Sequence, residues 1–449
     1  MFRSVQGKKK NTLAMSRIKI RNFGPIREGF TENEGWMDVK KVTVMIGDQG
    51  SGKSTAAKLI SVFSWLEKNV VRKSISIEQI NTSVFRNLCA AQELYEYFKQ
   101  DTFLSFEGEA CDFEYNAKED SFNGKMNTEK LKNYVLPKIQ YVSAARNLLT
   151  LLYNISLQSI IDKEGKVFDM SSNIPFMVKD LNNEYMKALA ELARDGFSLP
   201  INETSVYFQN HNTFIKTRGN KVSMSAASSG IQSITPLLLV SYYLSEEVQK
   251  DLSEKIQAID NNLKGKIEKE LAKENESLSV KFQQLLSFGK DVLKDDKDLV
   301  LLEEKLRKFI PCSFVNIVEE PEQNLFPTSQ QRVINSLLEF NNKLVDNKLI
   351  ITTHSPYIIG YMTLAIKANE LYHKAETDEV RQRINEIVPM DSVVSYDDIA
   401  IYELDENNGT IKLLGSENGI PNDNDYLDNE LGVLNDLFSD LLDIEDLCR

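Results

Sequence analysis

The stretch Val42-Thr43-Val44-Met45-Ile46-Gly47-Asp48-Gln49-Gly50-Ser51-Gly52-Lys53-Ser54-Thr55 decides the fold. It opens with an almost continuous apolar run, the pattern of a parallel strand buried on both faces. Gly47 to Ser54 then matches the phosphate-loop spacing G-x-x-x-x-G-K-[ST]. Beyond Lys53, Leu59, Ile60 and Phe63 fall on one face of a predicted helix. The chemistry explains the spacing. Glycines let the backbone curl until its N–H groups face phosphate oxygens. The helix N-terminus adds partial positive charge. Lys53 places a point charge on the β- and γ-phosphates, and the Ser54 hydroxyl is a ligand for Mg²⁺. The expected ligands are ATP and Mg²⁺. The expected cradle is Gly47, Asp48, Gln49, Gly50, Ser51, Gly52, Lys53, Ser54 and Thr55.

Working outward, Val315–Val318 is a second apolar strand, and it runs into Glu319-Glu320-Pro321-Glu322. An apolar strand ending in two carboxylates has the Walker B form. Glu319 is expected to hold the Mg²⁺ shell, and Glu320 to orient and deprotonate the attacking water. A third strand, Leu349–Thr352, leads to Thr353-His354-Ser355-Pro356. His354 there is expected to donate a hydrogen bond to the γ-phosphate. Between cradle and carboxylates lies Ala227-Ser228-Ser229-Gly230-Ile231-Gln232, ahead of a predicted helix. Such a turn binds phosphate through backbone N–H groups and hydroxyls, which makes Ser228, Ser229, Gly230 and Gln232 candidates. Taken singly, the carboxylates also read as a solvated loop, the histidine as structural and the serines as a helix cap. Their order behind a phosphate loop favours the functional reading.

Elsewhere the pattern predicts a strand over Arg17–Phe23, antiparallel strands near 103–117, a strand at Ile139–Val142 and mainly helix from 148 to 200. Ser205–Gln209 and Phe214–Met224 read as a hairpin, with Arg218-Gly219-Asn220 as a turn. From Leu244 to Leu271, apolar residues recur every three or four positions, the pattern of a long amphipathic helix. Seven steps cover 27 residues, about 3.9 per step, above the 3.5 of a heptad coiled coil. A helical hairpin or short bundle is therefore expected between 244 and 309. Asp398–Leu404 and Thr410–Leu414 read as strands joined at Asn408-Gly409, and an acidic amphipathic helix is expected from Asn422.

The 449 residues are 42% hydrophobic and 27% charged, with a net charge of −13. This composition excludes a collagen-like, low-complexity or wholly disordered chain. The acidic balance argues against coating nucleic acid by net charge. Cys89, Cys111, Cys312 and Cys448 are far apart, which excludes a C-x-x-C zinc ribbon or hook and suits a cytoplasmic location. No apolar run reaches the ~20 residues of a membrane span.

The elements together resemble the ATP-binding cassette ATPases, in the soluble branch with the SMC and RecF-like proteins. In that class the order is Walker A, signature, Walker B, switch histidine, and Ala227–Gln232 resembles the signature. The resemblance implies an α/β cassette-type ATPase head with a mixed sheet, an antiparallel β subdomain, a helical lobe and a helical insertion. It divides the chain into a disordered tail (1–14), the first part of the head (15–240), the insertion (241–310) and the second part of the head (311–449). It further implies ATP hydrolysis at composite sites, where the signature of one copy closes over ATP held by another, so that the chain forms a homo-oligomer. The class would place a glutamine near Ser143 or Ala144; Gln140 is out of register, and Arg146 stands where related ATPases carry an arginine.

The variant E-E-P-E-x-x-L-x-P, here Glu319 to Pro327, is similar to that of the OLD group of phage-defence ATPases. Size and C-terminal strand pair resemble the stand-alone Septu and PARIS defence ATPases, most of all the AriA group. That likeness implies a sensor and scaffold controlling a separate nuclease or toxin subunit, with a phage-encoded trigger. A nuclease within the chain would need metal-binding acids at strand ends, and Asp423-Asn424-Asp425 fits only in its letters. The alternatives are a RecF-like repair ATPase acting directly on DNA and the nucleotide-binding subunit of a transporter.

Overall fold

In the computed structural model, the structure describes residues 15–150, 160–161, 167–168, 176–201, 203–288, 297–417 and 420–421. The expected N-terminal tail, the acidic helix from Asn422 and Asp423-Asn424-Asp425 lie outside those residues.

The buried run Val42–Gly47 is the middle of a seven-stranded sheet. The order across the sheet is Gly29–Phe30, Thr410–Leu413, Ile399–Asp405, Val42–Gly47, Lys348–Thr352, Ser313–Glu319 and Pro137–Val142. The last five are mutually parallel, and Thr410–Leu413 returns antiparallel beside Ile399–Asp405. Alternation along each strand sends side chains to opposite faces. Val42, Val44 and Ile46 face one core with Val318, Leu349 and Ile351. That core is covered by the helices Phe176–Leu192, Ser229–Glu247, Pro327–Asn342 and Pro356–Lys374. Met45, Ile317 and Ile350 face the other core, against the P-loop helix Lys53–Val71.

A five-stranded antiparallel sheet closes that second core, in the order Met37–Val39, Ser16–Phe23, Phe98–Glu107, Cys111–Asn116 and Ser121–Met126. Phe63 of the P-loop helix stacks on Phe106 of this sheet with ring centroids 5.2 Å apart. The chain is thus an α/β fold with a mixed sheet, an antiparallel sheet and packed helices.

Two local expectations need correction. Among its described residues the segment 148–200 is mainly helical, as expected, but it also contains strands. It holds the helix Phe176–Leu192 and short strands at Ile160–Ile161, Val167–Phe168 and Phe197–Ser198. The last pairs with Thr204–Gln209 in a four-stranded meander completed by Asn212–Thr217 and Asn220–Ser223; the turn expected at Arg218-Gly219-Asn220 joins the final two strands, and the expected hairpin lacks only Phe197–Ser198.

The single long helix from Leu244 is likewise broken. Leu244 and Val248 belong to the main core at the end of Ser229–Glu247. A separate lobe follows: Leu252–Ala258, Asn261–Glu274, Glu276–Phe288 and Lys297–Leu306. The break has a chemical cause, because the Asp260 carboxylate accepts from the N–H of Leu263 at 2.9 Å and starts a new helix. The lobe has its own core of Ile256, Ile267, Leu271, Leu278, Phe282, Leu285, Leu302 and Leu306. No helix among the described residues is long and apolar enough to cross a membrane.

Candidate functional site

Parallel strands deliver their carboxyl ends to one edge of the sheet, where open α/β sheets hold their ligands. The P-loop follows Val42–Gly47, Glu320 follows Ser313–Glu319, and His354 lies two residues beyond Lys348–Thr352. The sequence motifs therefore meet because their strands are neighbours.

The P-loop is a left-handed turn at its glycines, with φ of 139° at Gly47, 81° at Gly50 and 102° at Gly52. A Cβ at Gly47 would collide with the Leu404 carbonyl, and one at Gly52 would lie 2.7 Å from Ile26 Cγ1. Both positions therefore require glycine. Ser51, Lys53 and Thr55 are buried, whereas Ser54 is exposed. The Lys53 ammonium folds back onto the loop, donating to the carbonyls of Gly47 at 2.7 Å and Asp48 at 2.6 Å. Burial pulls its pKa down to about 8, with Glu320 and Asp48 opposing the shift.

Lys53 Nζ lies 3.4 Å from His354 Nδ1, and His354 Nε2 lies 3.4 Å from Glu320 Oε1. The hydrogen bond to His354 holds the Glu320 carboxyl below the usual carboxylate range. Glu319 is buried beside them. Its Oε1 accepts from the Tyr141 hydroxyl at 2.5 Å and its Oε2 from the Ala144 N–H at 2.9 Å.

Two side chains that the sequence left without a role organise this edge. Glu322 Oε1 accepts from Thr353 Oγ1 at 2.7 Å and from the His354 N–H at 2.8 Å, so it ties the carboxylate loop to the histidine loop. Burial pushes its pKa up. Arg146, fully buried, donates to the carbonyls of Glu319 and Glu320, both at 2.6 Å. The third glutamate of E-E-P-E was a visible signal for Glu322. Arg146 had its position after a strand and its likeness to the arginine of related ATPases, neither of which gave it a role.

The serine turn takes a different place. Ser228 and Ser229 are exposed at the start of the helix Ser229–Glu247, which has no side-chain cap. Gly230 packs on the loop after the carboxylates, where a Cβ would lie 2.6 Å from the Asn324 carbonyl. Gln232 commits its amide to the carbonyls of Met224, Ser225 and Ala227, at 3.2, 3.1 and 2.9 Å. It thereby shapes the turn.

A family model described as an AAA ATPase domain matches residues 14–310 and 299–359. The chain belongs to this AAA ATPase domain family. It is an ATPase. The AAA ATPase has no significant match among curated proteins. Among solved structures it is similar to an SMC head domain from Thermotoga maritima, at 10% identity over 90% of this chain and 99% of that one, with a TM-score of 0.33. It is also similar to an SMC head bound to the C-winged helix domain of ScpA, at 10% identity over 90% and 97% of the two chains, with a TM-score of 0.36.

Proposed function

We propose that this AAA ATPase is an ATP-driven sensor and scaffold of an anti-phage defence system, assembling through shared ATP sites and controlling a separate nuclease or toxin subunit. One observation carries the shared-site part. The helix Ser229–Glu247 presents an exposed, uncapped N-terminus at Ser228 and Ser229. Free N–H groups at a 19-residue helix start, flanked by hydroxyls, form a phosphate site. The phosphate would come from ATP in the P-loop of a second copy. Assembly would then follow nucleotide binding by mass action.

Within one copy, the P-loop N–H groups from Gly47 to Thr55 hold the phosphates. Lys53 exchanges its loop carbonyls for phosphate oxygens. Glu320 orients the attacking water and takes its proton, while His354 donates toward the γ-phosphate. The oxygen-only set of Ser54 and Glu319 suits Mg²⁺, and each Glu319 oxygen keeps a lone pair beyond its present hydrogen bond. When bound there, Mg²⁺ would neutralise phosphate charge. Tyr141 and Ala144 fix the carboxylate that would hold it.

The defence role is supported by the E-E-P-E-x-x-L-x-P variant at Glu319–Pro327 and by the short insertion lobe. It is tested by the native mass of tagged Glu320→Gln protein, purified with ATP from cells carrying the flanking genes. A large homo-oligomer retaining a nuclease-like subunit is the expected result. A bare dimer that binds duplex DNA with a steep salt dependence would replace the proposal with a DNA-repair role.

A further inference from the structure

We propose that Arg146 is the positioning residue that carries the setting of the Ser229–Glu247 helix to Glu320. The proposal rests on reading Glu320 as the general base. Arg146 is 0% exposed, and burying a guanidinium costs heavily unless its N–H groups are satisfied. Here they are satisfied by carbonyls from three places. Nη1 donates to Ser143 at 3.3 Å and Glu319 at 2.6 Å, Nη2 to Glu320 at 2.6 Å, and Nε to Ser233 at 3.1 Å. Ser233 lies in the first turns of the helix whose exposed start is Ser228-Ser229.

Glu320 itself sits at φ 44°, a conformation that residues with a side chain rarely adopt. Three bonds hold its backbone there. Its N–H donates to the Thr352 carbonyl at 2.8 Å, and its carbonyl accepts from Arg146 and from the Gln323 N–H at 3.1 Å. The guanidinium is a rigid planar fork, so a shift of the Ser233 carbonyl must move the Glu320 carbonyl or break a bond. A parallel tie joins the same helix to the same loop, from Ser233 Oγ to Gln323 Oε1 at 3.2 Å. The path from a phosphate at Ser229 to the base thus runs through Ser233, Arg146 and the Glu320 backbone. Since none of these bonds belongs to the P-loop, Arg146 governs turnover and not nucleotide affinity.

The test uses the full chain and the variants Arg146→Lys, Gln323→Ala, both together, and Glu320→Gln in parallel. Binding of a fluorescent ATP analogue, kcat, KM and melting temperature are measured for each. A lysine keeps the charge but cannot span these carbonyls at fixed angles. Nucleotide affinity should stay within about threefold of wild type, while kcat falls roughly 10–100-fold in Arg146→Lys and about 3–10-fold in Gln323→Ala. The double variant should lose less than the product of the two, because both ties serve one loop.

Wild-type kcat in a folded Arg146→Lys protein overturns the proposal. So does a loss of kcat matched by an equal loss of nucleotide binding, the mark of a merely structural role. Should Arg146→Lys fail to fold, wild-type kcat in Gln323→Ala overturns it. Normal turnover in Glu320→Gln alone removes the base reading, and the proposal then falls with it.

Discussion

Glu320 Oε1 and His354 Nε2 lie 3.4 Å apart, and the other ring nitrogen of His354 lies 3.4 Å from Lys53 Nζ. An acid, an imidazole and a cation thus form one line across the mouth of the P-loop. Because the bond to His354 lowers the Glu320 pKa, the carboxylate is ionised throughout the neutral range. Glu320→Gln keeps the shape and removes the carboxylate. ATP binding should persist while kcat falls by roughly 10²–10⁴, the usual share of general acid–base catalysis. Steady-state hydrolysis alongside nucleotide binding decides this, and unchanged turnover would remove Glu320 from that role.

Lys53 now satisfies its ammonium with the carbonyls of Gly47 and Asp48. Charge-assisted bonds to phosphate are stronger than those to neutral carbonyls. Lys53→Ala should therefore weaken ATP binding by about 1.5–3 kcal/mol, roughly 10–150-fold. Calorimetric titration with ATP measures it. Retained affinity would count against the P-loop assignment.

Glu322 accepts two bonds from the histidine loop, and burial favours its protonated form. A neutral amide carries an oxygen in the same place. Glu322→Gln should leave kcat within about threefold of wild type, whereas Glu322→Ala strands two donors at a cost of about 1–3 kcal/mol and lowers kcat by loosening His354. Paired kcat and melting curves test this. Equal damage in both variants would show that the charge matters more than the acceptor.

How far the sequence reveals this site depends on the range of each interaction. The strands 42–47, 313–319 and 348–352 are continuous apolar runs, and a parallel sheet buries them on both faces, so the pattern is local and visible. The P-loop is visible because its glycines are demanded by backbone geometry. Arg146 is not visible in the same way. Three of its four bonds are to carbonyls 87, 173 and 174 residues away, and any residue type supplies a carbonyl. The lobe was seen as periodicity, but its breaks were hidden, since an aspartate such as Asp260 reads equally as a solvated helix position or as a cap. The strand Phe197–Ser198 is two residues long and too short to carry a period.

Glu67 offers a pH test. It is buried on the P-loop helix, its Oε1 accepting from the N–H groups of Ala110 and Cys111 at 2.6 and 2.9 Å. Burial, helped by Glu109 and opposed by those N–H bonds and Lys348, raises its pKa from 4.5 to about 7. The folded state then binds more protons than the unfolded chain between those values. Stability from this group is present below pH 4.5 and is lost as pH rises through 7. The loss is on the order of 3 kcal/mol. Glu67→Gln should flatten the fall in melting temperature between pH 5 and pH 8. A slope unchanged in that variant would assign the effect to other groups.

The lobe is anchored to the head at the far end of the P-loop helix. Lys73 pairs with Glu270, and Lys266 Nζ donates to the Lys73 carbonyl at 2.8 Å. A lysine on the carbonyl end of a helix also complements its dipole. The lobe nonetheless holds a core of its own, with Phe282 fully buried at its centre. Phe282→Ala should leave a cavity and destabilise the lobe by about 3–5 kcal/mol. Because no lobe side chain among the described residues enters the head's two cores, the head should keep its melting transition and its ATP affinity. Calorimetry would then show a second, lower transition in the variant. A single transition shifted as a whole would mean that lobe and head unfold as one unit, with the Lys266 and Lys73 contacts strong enough to join them.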